Sequence, residues 1–115
     1  MTLARYDEEI EESAGEARSR ERRALNHGID LLNKLQDGEL AETESAEALL
    51  YIRRLWTFFV QDLDNPRNGL PEQLRAQLIS IGIWVIRESD RIRLEGHSDV
   101  SDLVAVNMTI RDSLA

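Results

Sequence analysis

Two histidines, a knot of glutamates and one serine beside a glycine are the side chains that could do chemistry in this chain of 115 residues. His27 and His97 are the only histidines, and neither has a carboxylate at a spacing that resembles a metal motif. Glu8, Glu9, Glu11 and Glu12 could serve as paired carboxylates for acid–base work, but side by side in "DEEIEE" they read as a solvated acidic segment. Ser80 precedes Ile81 and Gly82 without a G-x-S-x-G elbow or a phosphate-binding loop around it. The absence of cysteine excludes thiol catalysis, disulfides and a Cys-based zinc site. No Ser, His and Asp constellation can be assembled. The expectation is a protein that is not an enzyme and needs neither cofactor nor metal.

Charge narrows the class further. The formal net charge is −8 and the sequence pI is about 4.7, a balance that argues against phosphate-tracking nucleic-acid binding as the main activity. Of the 14 basic residues only Lys34 is lysine. Arginine favours bidentate carboxylate pairing, so Arg53, Arg54, Arg87, Arg91 and Arg93, with Glu88, Asp90 and Glu95, read as ion pairs at helical spacing or as the polar rim of an interface. Arg18, Arg20, Arg22 and Arg23 could contact RNA, but with Glu16 and Glu21 among them residues 16–24 carry only four positive minus two negative charges, +2. The start of the chain has no apolar stretch of signal-peptide length. The richest apolar run, "LISIGIWVI", spans only residues 78–86. A cytoplasmic protein without membrane insertion is expected.

The elements that must position these residues are helices. Both prolines, Pro66 and Pro71, fall in "LDNPRNGLPE", the strongest break; "QDGE" around Gly38 and "EGHSD" around Gly96 are the others. The predicted fold class is all-α, a small bundle of about four helices with short connections. Residues 1–12 read as an acidic arm and 13–115 as a single helical-bundle domain. Two states are open for the arm, disorder or folding back on the arginines with Tyr6 as its anchor. The first helix is expected from the capping-box spacing of Ser13 and Glu16 to about Leu35, with Ala17, Ala24, Leu25, Gly28, Leu31, Leu32 and Leu35 inward. The second runs from Thr43 or Ser45 to about Leu63, and the third from Pro71 to about Leu94. The fourth, capped by Ser98 or Asp99, repeats Leu103, Val106, Ile110 and Leu114.

Two of these helices have more apolar surface than one face can bury. At about 100° per residue Leu49, Ile52, Trp56, Phe59, Val60 and Leu63 share one face of the second helix, while Tyr51, Leu55 and Phe58 lie on the other side. In the third helix Leu74, Leu78, Ile81, Val85 and Ile92 form one stripe and Ile79, Ile83 and Ile86 another, with Gly82 between them where a second helix could approach closely. Either these are middle helices covered on both sides, or part of the second stripe lines a groove for an amphipathic helix or forms a dimer seam. The candidate partner-binding residues are Tyr51, Leu55, Phe58, Ile79, Ile83 and Ile86.

The blocks "EARSRERRALNHGIDLL" (16–32), "RRLWTFFVQDL" (53–63), "LPEQLRAQLISIGIWVIRESDRI" (70–92) and "VNMTIRDSL" (106–114) together resemble FlaF, the flagellar biosynthesis family of alphaproteobacteria. The resemblance implies a small cytoplasmic protein that binds flagellin as a secretion chaperone and promotes its synthesis and export. It implies flagellin as partner, with FlbT and the flagellar export machinery as further ones. Flagellin's terminal segments are amphipathic helices that pack together only in the filament, and a surplus apolar surface could shield them before export. The alternative it implies is a post-transcriptional regulator acting through FlbT or flagellin mRNA. The family supplies no site motif to carry over, so the candidates above rest on the helical wheel.

Overall fold

The computed structural model describes residues 3–96 and 99–114, with side chains from residue 15 onward. Among the described residues there are four helices: α1 (Leu3–Gln36), α2 (Glu42–Asp64), α3 (Glu72–Glu95) and α4 (Ser101–Ser113). Each packs on its neighbours in a ring, α1 on α2, α2 on α3, α3 on α4 and α4 back on α1, so that α2 and α4 face each other across the diagonal. Short connections make successive helices antiparallel, which is the up-down-up-down bundle.

Punctuation in the sequence sets the helix ends. Gly96 takes the left-handed conformation (φ 73°) and donates its N–H to Ile92 O at 2.9 Å, closing α3 as a C-terminal glycine does. Pro71, expected as the first helical residue, is instead the N-cap, and α3 begins one residue later at Glu72. Asp99 accepts from both the N–H and the hydroxyl of Ser101 ahead of α4, and these bonds hold its carboxyl below the usual carboxylate range. Ser98, the other cap candidate, and His97 lie outside the described residues, as do the Glu8–Glu12 side chains and the Tyr6 anchor.

One helix end was misread. α1 does not begin at Ser13 but runs through it from Leu3. The Glu-, Ala- and Arg-rich stretch is made of strong helix formers, and the single Gly15 within it costs only about 1 kcal/mol, too little to stop propagation.

The core joins Leu25, Ile29, Leu32 and Leu35 of α1 to Ala48, Leu49, Ile52 and Trp56 of α2, Val85 and Ile92 of α3, and Val100 and Leu103 at the start of α4. Glycine at two helix contacts lets backbones close up. A Cβ on Gly82 would overlap Val60 Cγ2 and press to 3.2 Å from Trp56 Cε3; one on Gly28 would reach 2.7 Å from Ile52 Cδ1. The α4 stripe is turned from its expected register. Leu103 and Asn107 are the buried pair, while Val106, Ile110 and Leu114 are only partly covered. Asn107 is admitted because it satisfies a buried donor: Trp56 Nε1–H donates to Asn107 Oδ1 at 2.8 Å, and Asn107 Nδ2–H donates to Leu103 O at 2.7 Å.

Candidate partner-binding surface

The structure distributes the six candidate residues over two flanks of the α2–α3 hairpin. Tyr51 faces α1: its hydroxyl donates to Ala24 O at 2.9 Å, and its ring meets His27 edge-on at 4.9 Å. Burial pushes the phenol pKa up. Leu55 packs against the core beside it, and Phe58, one turn on, is 63% exposed with its ring angled against Phe59. This flank turns towards Glu21 of α1, whose carboxyl pKa is raised first by burial and then by Asp62, one turn beyond Phe58.

Ile79, Ile83 and Ile86 share a different flank with Asp90, which accepts from Arg53 Nε at 3.0 and 3.1 Å. Arg53 lies two residues from Tyr51, about 160° away around α2. Ile86 packs on the core, Ile79 is half-buried and Ile83 is 40% exposed. Tyr51, Leu55 and Ile86 are thus engaged within the chain, although α2 and α3 are members of a ring and not middle helices between α1 and α4. Phe58 and Ile83 are the exposed members, and they do not converge on one groove.

The concave apolar surface lies elsewhere, on the side of the ring where α3 meets α4 over only a short stretch. Ser80, Ile81 and Trp84 from α3 and Ala105, Val106, Thr109 and Ile110 from α4 line an open groove of about 490 Å³. Trp84 is 38% exposed, a large aromatic left at a bundle surface. The groove exists because Asn107 takes the inward position of α4 and leaves Val106 beside it, facing α3. Small residues, Ser80, Ala105 and Thr109, leave room between the two helices. The lining carries no ionisable side chain.

Where α3 ends and α4 begins, this side turns acidic. A recess of about 230 Å³ is lined by Glu88, Asp99, Asp102 and Arg91 among others. Arg91 is paired with Glu88 and, at 2.9 Å, with Glu95. At the other end α3 outruns the 13-residue α4 and presents Leu74 and Gln77, both exposed and uncharged.

The remaining chemistry-bearing residues have structural partners or stand alone. His27 is engaged by Tyr51, and among the described residues no group of three or more His, Asp or Glu is placed to hold a metal ion. Arg93 pairs with Asp90, as the helical spacing anticipates, and Arg111 with its immediate neighbour Asp112. Arg18, Arg20, Arg22 and Arg23 are exposed, with Arg22 donating to Leu114 O at 2.6 Å. Among the described residues no helix is long and apolar enough to cross a membrane.

The sequence reading missed Trp84 and the groove side of α4. The signals were an Asn inside an apolar stripe and a Trp standing outside both isoleucine stripes.

The described residues form an acidic all-helical bundle with an open apolar groove between α3 and α4. The chain belongs to the FlaF family: the family model for flagellar protein FlaF matches residues 2–114. Neither a curated protein nor a solved structure matches it. The family makes it a flagellar protein.

Proposed function

We propose that this protein binds flagellin in the cytoplasm as a secretion chaperone and thereby promotes flagellin synthesis and export. The observation that carries this reading is the open α3–α4 side, where Ile81, Trp84, Val106 and Ile110 stay partly uncovered in a chain of net charge −8. Apolar surface of this kind suits the amphipathic terminal helices that flagellin cannot bury before assembly, and the negative charge keeps the complex soluble. A segment that orders on binding pays conformational entropy, which holds affinity at a level compatible with release.

Isothermal titration of the full chain with monomeric flagellin, and with separate peptides from its two ends, tests this. A 1:1 complex with a negative heat-capacity change is expected, reproduced by one of the peptides. A folded sample that binds none of them overturns the reading. Binding to flagellin mRNA that weakens steeply with salt and with loss of Arg18, Arg20 and Arg23 would place the activity in direct translational control instead.

A further inference from the structure

The open side of the bundle has a length, a lining and a charge gradient, and together these specify what fits it. α4 spans 13 residues, about 20 Å, so the apolar groove and the acidic recess together run along three to four helical turns. The groove lining is apolar over Ile81, Trp84, Val106 and Ile110, while Ser80, Ala105 and Thr109 let another backbone approach closely. A strand would leave its backbone donors and acceptors facing this apolar wall, whereas a helix satisfies them internally. Glu88, Asp99 and Asp102 then stand at one end only, with Leu74 and Gln77 towards the other.

We infer that the α3–α4 groove takes a single amphipathic helix as a fifth element of the bundle, its apolar stripe on Trp84 and Val106 and its Lys- or Arg-bearing end against Asp99 and Asp102. The inference rests on the flagellin reading for its natural occupant, and it adds the docking helices, the register and the charge of the docked segment. The acidic end fixes which way round the segment lies, because reversal would move its basic residues away from Asp99 and Asp102 to lie beside the uncharged Leu74 and Gln77.

The test uses the full chain, two groove-filling variants and two probes. Ala105→Trp and Thr109→Trp change exposed positions on the groove side of α4, and circular dichroism melts establish that each remains folded. The probes are monomeric flagellin and a designed amphipathic peptide of about 14 residues with leucines at helical spacing and lysines at one end. Both variants are expected to weaken binding by about ten-fold or more. Asp102→Lys is expected to weaken it several-fold at low salt, with the difference shrinking at about 0.5 M salt. Asn33→Ala, at an exposed position of α1, leaves it unchanged. Flagellin binding that survives both tryptophan substitutions overturns the groove assignment and leaves the chaperone reading standing. Loss of flagellin binding by the wild type, with groove-dependent binding of the designed peptide retained, overturns the chaperone reading and leaves the groove standing. A wild-type chain that binds neither probe overturns both.

Discussion

Asn107 is the residue on which the two diagonal helices depend. Its side-chain oxygen accepts the only hydrogen bond that the buried Trp56 indole makes, and its amide returns to α4 itself. Asn107→Ala leaves that indole N–H unpaired in the core. The expected loss is about 1–3 kcal/mol, a fall in Tm of roughly 5–15 °C that thermal denaturation would register. Trp56→Phe removes the donor as well, so in the Asn107→Ala background it should cost less than in the wild type.

Glu21 carries a second prediction at this scale. Its carboxyl pKa is raised above the ordinary 4.5 by burial and by Asp62. The folded state therefore favours the protonated acid. This contribution is fully present below the unfolded pKa and is lost as pH rises through the folded one. Glu21→Gln should raise Tm at pH 7, and the gain should vanish as pH is lowered below about 4.5, which a pair of melting curves across that range checks.

At the scale of elements, the α2–α3 hairpin is set by a missing side chain. Gly82→Ala would add helix propensity of about 1 kcal/mol, but its methyl meets the stiff, β-branched Val60 with the Trp56 ring behind it. Overpacking at about 1–3 kcal/mol outweighs the gain, so the variant should melt lower, and Val60→Ala placed beside it should recover part of the loss. The glycine's role was legible in the sequence, since it interrupts an isoleucine-rich helix between two stripes. The helices and their ends were legible because prolines and glycines cluster at the turns. Two features were hidden. The true start of α1 was masked by a capping-box spacing that occurs by chance inside a strongly helical stretch. The rotation of α4 depends on a donor 51 residues away, and no periodicity within α4 records it. The groove was illegible for the same reason, as it follows from that rotation and from the shortness of α4 beside α3.

At the scale of the whole molecule, negative charge and uncovered apolar surface act together. A chain of charge −8 repels its own copies, which disfavours self-association through the open side of the bundle. The two tryptophans divide this system between them in a way that has an optical consequence. Trp56 is 1% exposed and Trp84 is 38% exposed, so the intrinsic fluorescence is the sum of a shielded emitter and a wet one. Acrylamide should quench the Trp84 component and spare that of Trp56. Occupation of the groove should shift the red component to the blue without touching the other, and unfolding should move both. The protein thus needs no dye to report whether it is folded and whether it is loaded, because each state has its own chromophore.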